Sequence, residues 1–136
     1  MEKTFKIGEL ALQTGCAVET IRYYEREGLL PPPARSSANY RLYDETHAER
    51  LMFIRRCRSL DMGLTEIQQL LALRATPDGS CGGVNALLDR HIEGLAQRIA
   101  ELESLRRQLL DLRSLCHETL TAKECGILHG IAAGSA

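Results

Sequence analysis

Three cysteines carry the clearest chemistry in this sequence. Cys116 and Cys125 stand nine positions apart in "LRSLCHETLTAKECGIL", too far for a CxxC hook and awkward for a helical pair. Cys81 lies in the glycine-rich stretch "PDGSCGG". Three thiolates with little competing oxygen or nitrogen favour soft ions: Cd(II), Pb(II) and Hg(II), and also Zn(II). Only deprotonated sulfur ligates, so binding would release protons and weaken at low pH. Glycines around Cys81 and after Cys125 let the backbone approach such a site closely. His117 adjoins Cys116 and offers a nitrogen, but adjacent helix positions point apart.

The elements that would position these thiols are legible. Cys81 and Cys116 are 35 residues, or five heptads, apart. At about 1.5 Å per residue that is roughly 50 Å of helix, so one straight helix cannot bring them together. From Val84 to Cys116 there is no proline. Leu88, Leu95, Leu102, Leu109 and Cys116 recur every seven residues, and a second line runs through Ile92, Ile99, Leu105 and Leu112. This pattern predicts one long helix with a coiled-coil seam, interrupted by His91, Gly94 and Arg98. A solitary helix of that length leaves its stripe exposed, and a second protomer is the expected cover. Two copies packed antiparallel bring Cys81 of one protomer beside the partner's Cys116, and a loop returns Cys125 to the same place. Three thiols then converge twice per dimer. Residues 76–83 read as a metal loop, 84–117 as the dimerisation helix, and 118–136 as a metal-binding loop with a short C-terminal helix in "GILHGIAA".

Residues 1–75 have a different organisation. "KIGELALQ" puts Ile7, Leu10 and Ala11 on one helical face, and "TG" ends it. "CAVETIRYYEREG" reads as a second short helix stopped by Gly28, with Ile21 and Tyr24 inward and Arg22 and Tyr23 free to face outward. Two short helices around a tight turn make a helix-turn-helix pattern. In "LLPPPARSSANYRLY" three prolines forbid helix, and a turn between short extended arms gives a β-wing. A third helix follows with Asp44 as N-cap and Leu51, Ile54 and Arg58 at helical spacing. A fourth starts near Gly63 or Thr65 and carries Ile67, Leu70, Leu71 and Leu73. Arg22 and Tyr23 on the second helix suit phosphate or major-groove contacts, and Arg35, Tyr40 and Arg41 on the wing suit phosphate.

The remaining candidates read as structure. Cys16 and Cys57 sit in apolar patterns as small buried hydrophobes. Tyr24 and Tyr43 read as core, His91 and His129 as surface or seam, and the Arg55, Arg56 and Arg58 run as a solvated face.

Composition bounds the rest. The chain has 136 residues, 44% hydrophobic but only 4% aromatic, and no Trp. Many leucines and few aromatics point to helix packing completed by a partner. Net charge is −1: residues 1–75 hold 11 Lys/Arg against 10 Asp/Glu, and residues 76–136 hold 6 against 8. Overall charge therefore says nothing of nucleic acid, and local pattern must. No signal peptide and no membrane span is expected, and five cysteines without secretory spacing indicate a cytoplasmic chain with reduced thiols. A thiol redox enzyme lacks its CxxC and its base here. A metal-buffering protein is the rival of another class, disfavoured by the helix-turn-helix and wing.

"TIRYYE", "GLLPP" and "NYRLY" strongly resemble hallmark segments of the mercury-resistance regulator (MerR) family, and "PDGSCGGVNALLDRHI" and "CGILHG" resemble its cadmium/lead-responsive branch. The resemblance covers nearly the whole chain. It implies a mainly α fold: a winged helix-turn-helix N-terminal domain, then a long antiparallel coiled-coil dimerisation helix and a C-terminal metal-binding loop. It implies a homodimeric activator of heavy-metal resistance genes that binds double-stranded promoter DNA and distorts it for RNA polymerase. By residue, it implies DNA contacts at Arg22, Tyr23, Arg35, Tyr40, Arg41 and Arg58, and metal ligation by Cys81, Cys116 and Cys125, with Cys81 donated across the dimer. Cd(II) or Pb(II) is the implied inducer, with Zn(II) or Hg(II) as alternatives. The chain lacks the histidine-rich tail of some cadmium-responsive relatives.

Overall fold

The computed structural model describes residues 3–134. Helices dominate, and the chain divides into two compact units, Met1–Leu87 and Leu88–Ala136.

The first unit opens with α1 (Ile7–Thr14) and α2 (Val18–Arg26). Helix α1 starts where the Lys6 backbone N–H donates to Glu9 Oε1 (3.2 Å). It stops because Gly15 turns left-handed (φ 73°), as glycine does at little cost, and returns its N–H to Ala11 O. Thr14 is buried and donates its hydroxyl to Leu10 O at 2.8 Å. Helix α2 ends ahead of Gly28 (φ 77°), the residue expected to stop it. Leu10 and Ile21 are fully buried and Tyr24 nearly so; Arg22 and Tyr23 stay exposed, the inward and outward faces expected of the pattern.

Strands β1 (Ala34–Arg35) and β2 (Arg41–Leu42) pair antiparallel in the register Ala34↔Leu42 and Arg35↔Arg41. They form the wing, and Asn39 takes a positive φ (65°) in its turn. Phe5 bridges to Tyr43 and ties the start of the chain to the end of the wing.

Asp44 caps α3 (Glu45–Ser59) as its sequence position predicts: its carboxylate accepts the N–H groups of Thr46 (2.9 Å) and His47 (3.3 Å). Helix α4 (Leu64–Arg74) begins at Gly63, whose N–H is taken by Glu66 (3.1 Å). Leu29, Leu30, Tyr43, Leu51, Ile54, Ile67 and Leu71 close the core against α1 and α2. Each such fully buried aliphatic side chain contributes about 1.5–3 kcal/mol.

Helix α5 runs Gly82–Arg113. Its first turn lies on the end of α4: a Cβ on Gly83 would approach Leu73 to 3.0 Å. In the second unit a single 3-10 turn (Ala122–Glu124) and α6 (Gly126–Ala132) follow. The helix ends three residues short of Cys116, the last residue of the heptad line. The Arg113 guanidinium donates to the Cys116 carbonyl and the Ser114 hydroxyl to Asp111 O (2.6 Å), so side chains satisfy the last turn and the chain leaves the helix. Leu112 also departs from its expected seam line: it is buried, and a Cβ on Gly130 would meet it at 3.3 Å. Ile92, Ile99, Leu102, Leu105 and Leu109 remain more than half exposed. No described helix is long and apolar enough to cross a membrane.

Candidate functional site

Two sites can be built from these elements, one in each unit. The first is an open cleft of about 680 Å³ lined by Lys6, Ile7, Arg22, Glu25, Arg26, Arg35, Asn39, Tyr40 and Arg41. The outward face of α2, the wing and the start of α1 meet there. Arg22, Arg35, Tyr40 and Arg41, all singled out in the sequence, share this cleft; Lys6, Glu25 and Arg26 do not follow from any local pattern. Glu25 accepts the hydroxyl of buried Tyr43, which fixes α2 to the residue after the wing. Burial first, and this bond second, push the Tyr43 hydroxyl up to about 12.

Tyr23 faces a neighbouring concavity with Glu19, Thr20, Tyr24, Arg58 and Leu64. Arg58, at the end of α3, therefore stands beside Tyr23 while donating to Met62 O at 2.9 Å. Arg22 is held by Glu19 at 3.1 Å in an exposed pair, which contributes little to stability and leaves the guanidinium free to exchange partners.

The turn between α1 and α2 is clamped from outside. Arg55 on α3 donates to Thr14 O at 2.8 Å, capping the end of α1. The segment joining α2 to the wing is held in the same manner. Gln68 Nε2 donates to Glu27 O (3.2 Å), Arg50 Nε to Leu29 O (2.6 Å), and His47 Nε2 meets Pro31 O (3.1 Å). His47 Nδ1 lies 3.1 Å from both the N–H and the carboxylate of Asp44, so both ring nitrogens have partners. Sequence reasoning read Arg55 only as part of a solvated face.

The second site lies past the end of α5. Cys116 and Cys125 are both half-buried free thiols. The Cys116 thiol donates to Glu118 O at 3.0 Å. Cys125 precedes α6, and its thiol is held below the usual range. The Leu128 N–H is the main cause; partial burial opposes it, and the Ile127 N–H and the Cys116 side chain assist. The Cys116 side chain thus reaches Cys125 across eight intervening residues. Glycine makes that approach possible: a Cβ on Gly126 would lie 2.3 Å from the Leu115 carbonyl oxygen, and one on Gly130 2.6 Å from Leu115 Cδ1. His129 Nε2 meets Lys123 O (2.6 Å) and pins the intervening loop to α6. His117 lines a shallow concavity with Cys116, Glu118, Leu120 and Glu124.

Cys81 is exposed, immediately before α5 in the first unit. Among the described residues, no group of three or more His, Cys, Asp or Glu side chains within the single chain could hold a metal ion. Cys57 is buried and Cys16 half-buried, both among the core residues; burial raises the Cys57 thiol.

This arrangement of helix-turn-helix, wing and long helix has counterparts among known proteins. Residues 5–73 match the MerR HTH family of regulatory proteins, and residues 48–112 match the MerR DNA-binding family. The chain is 52% identical over 108 residues to the HTH-type transcriptional regulator ZntR homolog of Haemophilus influenzae, covering 79% of this chain and 80% of that one. It is 39% identical over 124 residues to the mercuric resistance operon regulatory protein of Bacillus cereus, covering 91% and 94%. The crystal structure of the transcription regulator PbrR691 from Ralstonia metallidurans CH34, in complex with lead(II), matches with a TM-score of 0.86 and 54% identity over 93% of this chain and 98% of that one. The chain belongs to the MerR HTH family of regulatory proteins: it is a DNA-binding transcription regulator and not an enzyme.

Proposed function

We propose that this regulator acts as a homodimer that senses a thiophilic heavy metal, Pb(II) or Cd(II), and activates promoters of resistance or efflux genes. The observation that carries the reading is the Cys116–Cys125 pair. Two thiols are brought together past the end of a long helix, and one is tuned toward the thiolate that soft-metal ligation needs. The partner's Cys81 would complete a three-sulfur set. The exposed apolar residues Ile92, Ile99, Leu102, Leu105 and Leu109 supply a surface for the second α5. The lead(II) complex of the PbrR691 relative favours Pb(II). A second reading, a Zn(II)- or Hg(II)-responsive regulator, is favoured by the ZntR homolog and the mercuric resistance relative.

A soft ion would supply three strong sulfur bonds spanning two protomers. A ligand switches a protein only through its differential affinity for two states, about 5.5 kcal/mol to move a population from 1:99 to 99:1. The chain's own residues offer a route for that free energy. Cys81 follows α4 closely. Helix α4 is tied to α3 by Arg74, which pairs with Glu49 and lies 4.6 Å from the Phe53 ring centroid, and to the end of α2 by Gln68. Displacing the Cys81 end of α4 would therefore turn the recognition helix and wing. Each half-site of the promoter would follow, and the deformation would align its recognition elements for RNA polymerase.

The test is subunit complementation. Cys81→Ser and Cys116→Ser homodimers should each lose Pb(II)-dependent transcription and Pb(II)–thiolate absorbance. A mixed dimer of the two should regain one site. Failure of the mixed dimer to recover any absorbance would place all ligands within one protomer and refute the proposal.

A further inference from the structure

The basic cleft holds five cations, Lys6, Arg22, Arg26, Arg35 and Arg41, against the single carboxylate of Glu25. Four of these six groups are engaged, Arg41 with the Tyr43 hydroxyl. Glu25 accepts the Tyr43 hydroxyl, Arg22 pairs with Glu19, and Arg35 donates to Asn39 O at 3.2 Å. Lys6 and Arg26 differ. Among the described residues neither belongs to a salt bridge. Each instead lies over a tyrosine ring: Lys6 Nζ is 5.2 Å from the Tyr40 centroid and Arg26 Cζ is 6.0 Å from that of Tyr23. Both rings are solvent-exposed, Tyr40 at 60% and Tyr23 at 40%.

A ring face attracts a cation without neutralising it. The side chain is oriented, and its full charge stays available to an anion. Lys6 stands at the start of α1 and reaches the wing; Arg26 stands in the last turn of α2. Lys6 therefore presents its charge where α1 meets the wing tyrosine, and Arg26 presents its own where α2 ends beside the recognition tyrosine. An open cleft lined by spaced positive charges suits a polymer carrying one negative charge per residue better than a compact anion.

We infer that Lys6 and Arg26 each bind a backbone phosphate of the DNA duplex, each oriented by the tyrosine beneath it. The inference rests on the DNA-binding reading and enlarges its footprint by two positions. Phosphate contacts fix position and carry no base information, so both residues set affinity and salt dependence and leave sequence preference alone.

The 136-residue chain would be used, with a duplex selected from a random pool by the wild-type protein and a scrambled duplex for comparison. The dissociation constant is measured against salt concentration. Because both protomers of the dimer carry each change, Lys6→Met and Arg26→Met should each reduce the slope of log K against log salt by about 2, and the double variant by about 4. Lys6→Arg and Arg26→Lys should restore it, and the ratio of selected to scrambled affinity should hold throughout. An unchanged slope in both methionine variants, with a normal wild-type slope, overturns this inference alone. A changed selectivity ratio with unchanged slope also overturns it, by assigning these side chains to base reading or to folding. A wild-type chain with no salt-dependent duplex binding overturns the DNA-binding reading as well.

Discussion

Gly126 lies so close to Leu115 that a Cβ on it would stand 2.3 Å from the Leu115 carbonyl oxygen. Backbone cannot yield there as a flexible side chain can, so a methyl group must push α6 away from the end of α5. Cys125 precedes Gly126 and would leave Cys116 with it. Gly126→Ala should weaken metal binding by about 10–100-fold, the range seen when the support of a ligand shell is disturbed. Binding of metal-free protein to DNA should be unaffected, because the cleft lies in the other unit. Isothermal titration with Pb(II) and a gel shift on the same preparation check the two halves.

Thiol reactivity should follow the environments. The Leu128 and Ile127 N–H groups stabilise the Cys125 thiolate, whereas burial disfavours that of Cys57. In metal-free protein at neutral pH, iodoacetamide should label Cys125 early and Cys57 last, because only the thiolate attacks. Peptide mass mapping over time reads the order; Cys57 labelling before Cys125 would contradict the arrangement.

The turn of the helix-turn-helix depends on Gly15. Its φ of 73° disfavours any Cβ, and a Cβ there would come within 2.3 Å of Arg55 Nη1. The guanidinium is movable in principle, but moving it breaks the bond to Thr14 O. Gly15→Ala should cost about 1–2 kcal/mol from the left-handed backbone alone, with more from the lost cap. The midpoint of urea unfolding measures it. Arg55→Ala in the Gly15→Ala background should add less than Arg55→Ala alone, since the cap is already displaced.

Alkaline stability should depend on Tyr43. Its hydroxyl is raised from 10.0 to about 12, so the folded state holds its proton where the unfolded chain has released it. The stabilisation is complete below pH of about 10 and is lost as pH rises toward about 12, a fall in stability with pH because the native state binds more protons. Tyr43→Phe should flatten that window. At neutral pH it should cost about 1–2 kcal/mol for the unpaired Glu25 carboxylate. Chemical denaturation at stepped pH gives both readings.

Much of the architecture was legible because it is written locally. Gly15 and Gly28 mark helix ends by chain geometry, Asp44 caps by its type, and Leu10, Ile21, Ile54, Ile67 and Leu71 follow the helical period. The adjacency of Cys116 and Cys125 was legible as chemistry, but the glycines that permit it in the structure, Gly126 and Gly130, matter through contacts with Leu115 and Leu112 that no period encodes. The same physics hid Arg55, whose acceptor lies 41 residues away, and the pairing of Glu25 with Tyr43. Lys6 and Arg26 belong to no motif; their cleft exists only once the wing folds beside α1 and α2. The heptad rule carried the long helix correctly as far as Arg113. It failed at Leu112, which a short helix of the same chain covers, because a repeat cannot say which neighbour arrives first.

That early helix stop has an evolutionary corollary. Cys116 hangs from a turn, and Cys125 follows a short loop fastened to α6 through His129 and Lys123. Residues 117–122 can thus be lengthened, shortened or exchanged between homologous chains like a cassette, retuning the geometry offered to a cation while the rod beneath it and the promoter-reading end inherit no change.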